Sequence, residues 1–145
     1  MNASAKPSLT LKRRFAVAPS LVYDAWTQAE HLLHWFGPAG EVQSAEVDVR
    51  VGGRFHIVFT TPDGEEHDVS GAYDTVVPNE RLAFSWTWRT LPDRTSHVVL
   101  TFKADGGGTL FTLLHEEFFD DAARDRHEYG WTGSLDRLAA HLAAD

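Results

Sequence analysis

The residues best suited to proton chemistry are histidines and carboxylates from residue 56 onward: His56, His67, His97, His115-Glu116-Glu117 and His127-Glu128. A histidine near a carboxylate can move a proton at neutral pH if both reach one substrate. Strand alternation puts His115 and Glu117 on one face and Glu116 on the other. His127 belongs to the apolar stripe of a helix beside Trp131. His115 and His127 are therefore the candidate proton carriers, and satisfied core or surface histidines are the simpler account of the same pattern. His115-Glu116-Glu117 is not HExxH and no helical pair has that spacing, so neither a metal site nor a cofactor is expected. Gly-x-Ser-x-Gly is absent, and Gly106-Gly107-Gly108 lacks the lysine and helix of a phosphate-binding loop. With no cysteine in the chain, disulfides, cysteine–zinc sites and thiol nucleophiles are excluded.

Binding chemistry has stronger material. Phe55, Ile57 and Phe59 point one way from one strand, and Phe84, Trp86 and Trp88 line up on another, with Tyr73 placed between them if the strands are neighbours. Together with Trp35, His127 and Trp131 they form the candidate ligand-binding set for a flat or apolar small molecule. Trp86 and Trp88 could also face a cation. Trp35-Phe36-Gly37-Pro38 could gate a cavity mouth. Packed core residues are the competing account, because solid cores use the same residue types.

These side chains need elements to hold them. Apolar alternation at Leu9, Leu11, Phe15 and Val17, broken by Arg13, predicts a strand over 9–17 that stops at Pro19. Leu21, Val22, Ala25 and Trp26 share a helical stripe over 20–27, with Ser20 a candidate cap. A second short helix over 30–36 ends before Gly37-Pro38. Strands follow over 42–49, 54–60, 67–76, 82–88, 96–102 and 109–118, with Pro62-Asp63-Gly64 a turn and 104–108 a hairpin connection. The spacing of His127, Trp131, Leu135, Leu138 and Leu142 then predicts a long helix capped by Asp120 or Asp121. Gly130 and Gly133 inside it suggest a close helix–sheet approach.

The length of 145 residues fits one domain over 9–145, preceded by a flexible lead over 1–8. The first residues lack the apolar run of a signal peptide, and no stretch is long and apolar enough to span a membrane. A cytoplasmic setting and no membrane insertion are expected. A formal charge of -8 argues against nucleic-acid binding, with Lys12-Arg13-Arg14 a local exception read as a solvated strand edge.

The order of Phe15 to Pro19, Trp26, Trp35-Phe36-Gly37-Pro38, Gly52-Gly53-Arg54-Phe55, Gly71-Ala72-Tyr73, Pro78-Asn79-Glu80-Arg81-Leu82, Gly108-Thr109 and Gly130-Trp131 carries a family resemblance. The chain resembles the START-like (Bet v 1-like, SRPBCC) superfamily, in the branch similar to the C-terminal domain of the activator of the ninety-kilodalton heat-shock-protein ATPase. The resemblance implies an α+β helix-grip fold: a curved antiparallel sheet around the long C-terminal helix, with two short helices after the first strand. It also implies a cavity between sheet and helix, but no shared catalytic motif.

Three functions stay open. The leading one is noncatalytic binding of a hydrophobic or aromatic small molecule. The second is a cyclase or hydrolase-like enzyme using the same cavity. The third is a chaperone-associated interaction module. A homodimer is compatible with each, and the sequence reveals no interface for it.

Overall fold

The structure, a computed structural model, describes residues 6–143. The expected lead lies outside the described residues for 1–5. At its described end, the Pro7 carbonyl accepts a hydrogen bond from the Phe118 amide. The elements run β1 (Leu9–Phe15), α1 (Pro19–Thr27), α2 (Ala29–Trp35), β2 (Glu41–Val47), β3 (Arg54–Thr60), β4 (Glu66–Val77), β5 (Arg81–Trp88), β6 (Ser96–Asp105), β7 (Gly108–Glu116) and α3 (Asp121–Ala143). The strands form one seven-stranded sheet in the order β1-β7-β6-β5-β4-β3-β2, with every pair antiparallel. It is the expected helix-grip α+β fold, with the curved sheet closing on α3.

Alternation predicts the inner face correctly. Phe55, Ile57 and Phe59 of β3, Val69 and Tyr73 of β4, and Leu82, Phe84 and Trp86 of β5 are all buried. Tyr73 does lie between the two aromatic rows, with ring centroids 5.8 Å from Phe55 and 5.9 Å from Phe84. On α3 the predicted stripe is buried at Trp131, Leu135 and Leu138 and half-buried at His127 and Leu142. Each fully buried large apolar side chain contributes on the order of 1.5–3 kcal/mol, so the stripe secures the helix despite its two glycines.

Several local expectations are corrected. Pro19 is the first residue of α1 rather than a separate strand stop, and Ala18, not Ser20, occupies the cap position without a side-chain bond. Proline suits that position because its missing N–H would have had no helical partner. At α3 the choice falls on Asp120, whose carboxylate accepts from the Ala123 amide at 2.8 Å. Strand β7 ends at Glu116, and Glu117 turns away with a positive φ of 66°. Lys12, Arg13 and Arg14 do lie on the edge strand β1, with Lys12 and Arg14 exposed, and both arginines are paired. Arg13 bonds Asp136 on α3 at 2.8 Å, and Arg14 bonds the Asp105 carboxylate at 2.9 Å beside the β6–β7 hairpin.

The glycines divide by what surrounds them. A Cβ on Gly71 would lie 1.8 Å from the Ser85 carbonyl oxygen and 2.7 Å from the Phe55 ring. Strands β4 and β5 approach too closely there for any side chain. Gly133 faces Pro38, with a built Cβ 3.0–3.2 Å away, so the close approach of α3 is to the α2–β2 loop rather than to the sheet. Gly130 meets nothing within 4 Å.

Urea denaturation checks this division. Gly71→Ala is expected to lose about 3 kcal/mol by overpacking, whereas Gly130→Ala is expected to gain roughly 0.5–1 kcal/mol from helix propensity. Equal effects of the two substitutions would contradict the packing described.

Candidate functional site

Helix α3 meets the sheet through two linked imidazoles. The indole N–H of Trp131 donates to His115 Nδ1 at 2.9 Å. Because an indole can only donate, His115 must carry its proton on Nε2, from which it donates to Ser96 Oγ at 2.7 Å. Ser96 passes its own proton toward the Trp86 carbonyl at 3.4 Å. The same logic fixes His127. Trp88 Nε1 donates to its Nε2 at 2.9 Å, so Nδ1–H donates to the Ala123 carbonyl at 2.7 Å. The two rings lie 5.0 Å apart.

The structure therefore brings the two candidate proton carriers together, with all four ring nitrogens engaged inside the protein. Burial pushes the His115 pKa well below its ordinary value, and the neighbouring His127 and His97 add to the shift. Burial also lowers that of His127; the bond to the Ala123 carbonyl opposes this, and Arg126 reinforces it. Glu117, expected on their strand face, is exposed beyond the strand end and does not join them. Glu128 is exposed on α3.

The other candidate histidines, His97, His56 and His67, make their contacts elsewhere. His97 donates from Nε2 to Asp74 at 2.7 Å and contacts Glu116 through Nδ1 at 3.2 Å. Burial pulls its pKa down, but the hydrogen bonds and charges of Asp74 and Glu116 outweigh that and raise it. Ligand atoms of His97, Glu116 and Glu117 fall within 4.8 Å of one another, a spacing that a cation could use. Both His97 nitrogens already serve carboxylates. His56 pairs with Asp68 at 2.8 Å. His67 stacks on Phe59 at 5.0 Å.

The aromatic set splits into a packed interior and an open mouth. Phe55, Ile57, Tyr73, Phe84 and Trp86 surround a void of only about 20 Å³. Phe36, Phe59, Trp86, Trp88, His127 and Trp131 border a second one of about 50 Å³. Trp35 is fully buried, packed edge-on against Trp26 and bonded to the Ala25 carbonyl at 3.0 Å. It supports the mouth from within, while Gly37 and Pro38 form the rim.

At the mouth lies a groove of about 420 Å³ between the α2–β2 loop, the β3–β4 turn, the end of β5 and α3. Phe59, Trp88, Pro38 and Leu91 supply its apolar surface, and His67 and His127 its imidazoles. Glu65, Glu66, Asp68, Arg89 and Arg126 mark a charged border. A broader depression of about 880 Å³ adjoins it across Pro38, Thr61, Glu65, His67 and Tyr129. Trp88 faces the groove, whereas Trp86, set nearly perpendicular to it at 89°, is buried.

Arg137 was not singled out by the sequence. Its guanidinium donates to the Phe36, Gly37 and Gly40 carbonyls at 3.4, 3.1 and 3.1 Å. It thereby ties the rim loop to α3. The positive φ values of Gly37 and Gly40 expose those carbonyls to a common donor. Two glycines flanking a proline were the available signal, but nothing in sequence pairs them with an arginine 97–101 residues away.

Residues 16–143 match the family described as Activator of Hsp90 ATPase homolog 1-like protein. The mouse (Mus musculus) activator of 90 kDa heat shock protein ATPase homolog 1 is 27% identical over 124 residues, covering 85% of this chain. The chain spans 33% of that relative's length. An AHSA1 protein from Silicibacter pomeroyi is 34% identical with a TM-score of 0.82, covering 94% of this chain and 98% of that one. A Chromobacterium violaceum protein is 28% identical with a TM-score of 0.83, covering 95% and 98% respectively.

The buried imidazoles make stability depend on pH. Unfolded histidines titrate near 6.5. The depressed folded values of His115 and His127 therefore leave stability intact above that pH and reduce it as pH falls below. His97, with a raised folded value, contributes the opposite sign: its stabilisation is full below 6.5 and lost as pH rises through its folded pKa. Below 6.5 the buried pair alone changes stability, by up to about 1.4 kcal/mol per pH unit for each histidine neutral when folded and protonated when unfolded. Urea midpoints between pH 7.5 and 5.5 should fall, and fall further in His97→Gln. A flat or rising profile would contradict the neutral buried pair.

Proposed function

The chain belongs to the Activator of Hsp90 ATPase homolog 1-like family within the START-like superfamily, and from that premise we propose that it binds a hydrophobic or aromatic small molecule at the mouth of the helix grip. The observation carrying this reading is the groove of about 420 Å³ walled by Phe59, Trp88 and Pro38. Its size falls within the range of small-molecule sites. At the mouth Phe59, Trp88 and His127 would touch the ligand, while Phe55, Ile57, Tyr73, Phe84, Trp86, Trp131 and Trp35 would form the interior behind it. Among the described residues no helix is long and apolar enough to cross a membrane, and the proposed setting is the cytoplasm.

Noncatalytic binding fits the engaged nitrogens of His115 and His127. Using either for a cyclase or hydrolase-like reaction would first break a bond to Trp131, Ser96, Trp88 or the Ala123 carbonyl. Activation of the chaperone ATPase is named for the mouse relative, of which this chain matches one third. A chaperone contact here is therefore a separate proposal, which co-sedimentation with purified Hsp90 would test.

Native mass spectrometry of gently purified protein, followed by extraction of the retained molecule, identifies the ligand. Trp88→Ala is expected to weaken its binding about tenfold by removing one aromatic wall. Unchanged affinity in this variant, or no retained or added apolar molecule binding at all, would reject the groove reading.

Arg137→Ala should loosen the rim through loss of its carbonyl bonds, weakening the same ligand by about tenfold. Its measured stability should fall by about 1–3 kcal/mol. A stability loss of that size with unchanged affinity would make Arg137 a fold residue alone.

A further inference from the structure

We propose that the deep end of this site recognises a neutral hydrogen-bond acceptor, such as a ketone or ether oxygen, through the indole N–H groups of Trp26 and Trp86. The inference rests on the proposed binding of an apolar molecule and specifies the polar group that molecule carries.

The chain has five tryptophans. Trp35, Trp88 and Trp131 each donate to a named acceptor inside the protein. Trp26 and Trp86 are buried, and their Nε1 atoms have no acceptor among the described residues. Buried indole N–H groups normally find a partner, and each exception calls for a physical account.

These two rings border the same void of about 20 Å³. Trp86 and Phe36 also border the next void, of about 50 Å³, whose Phe59, Trp88, His127, Pro38 and Gly130 continue into the groove. Shared wall residues thus link the void beside the two rings to the open mouth. The inner space is about that of one small group, so it admits an oxygen-bearing substituent while the apolar body stays nearer the groove.

Donor chemistry sets the ligand class. An indole N–H donates and cannot accept, so the ligand must supply a lone pair. Neither inner void is lined by lysine or arginine. A carboxylate there would be buried without a counter-charge, at a cost that favours a neutral oxygen. Burial also keeps the Tyr73 phenol protonated.

The test compares 2-acetylnaphthalene with 2-isopropenylnaphthalene, which replaces the carbonyl oxygen by a methylene of similar shape. Calorimetric titration of the full chain is paired with indole ¹H–¹⁵N spectra. The ketone is expected to bind about tenfold more tightly, with downfield shifts at the Trp26 and Trp86 indole protons. Trp86→Phe should reduce that preference to about twofold or less, any loss of aromatic wall weakening both probes alike. Equal binding of the two probes with both indole signals unmoved would overturn the acceptor subsite and leave groove binding standing. Binding of neither probe would overturn both. If Trp86→Phe fails to fold, the wild-type preference and indole shifts decide.

Discussion

The attachment of α3 to the sheet depends on imidazoles that stay uncharged. At His115 the Trp131 indole needs an acceptor, while Ser96 receives the proton on the other ring nitrogen. Protonating His115 would turn its Nδ1 into a donor facing a second donor. The bond to Trp131 would be lost and a positive charge left in an apolar interior. Trp131 in turn packs against Trp86 at 5.0 Å and Trp26 at 5.8 Å. The protonation state of one ring therefore reaches the aromatic packing on which both the core and the groove floor rest.

A single helix also sets the mouth at several heights. His127 holds Trp88 at the groove, Trp131 anchors the interior, Gly133 lets Pro38 approach, and Arg137 grips the loop carbonyls. His127 and Trp131 share one stripe of α3, while Gly133 and Arg137, also four residues apart, form a second stripe turned toward the loop. Moving or rotating the helix would disturb floor, core and rim together. Rim shape and core packing are consequently coupled by geometry, without any separate moving element.

Much of this fold was legible because it depends on periodicity. Phe55, Ile57 and Phe59 had to share a face, and the stripe from His127 to Leu142 had to lie along a helix. Alternation shows which way a side chain points but not how much space remains beyond it. Tyr73 and Phe84 were assigned correctly to the interior, yet whether rings or a ligand fill that interior depends on three-dimensional packing. The same limit explains Gly130 and Gly133, identical in type and close in sequence but facing open space and Pro38 respectively. Arg137 was invisible because its acceptors are backbone carbonyls, which leave no mark in residue type.

The fold and the site place different demands on sequence. Any chain with suitable alternation, turns and one apolar helical stripe can satisfy the sheet and α3, since many apolar residues interchange at those positions. The groove instead depends on particular pairings: Trp88 with His127, Arg137 with the rim carbonyls, and His67 over Phe59. A substitution can preserve the stripe while changing a donor, an acceptor or an aromatic wall. Family membership consequently fixes the architecture far more tightly than the ligand. The ligand's chemistry has to be sought in the unpaired polar atoms and open apolar surface that remain once the fold's own needs are met.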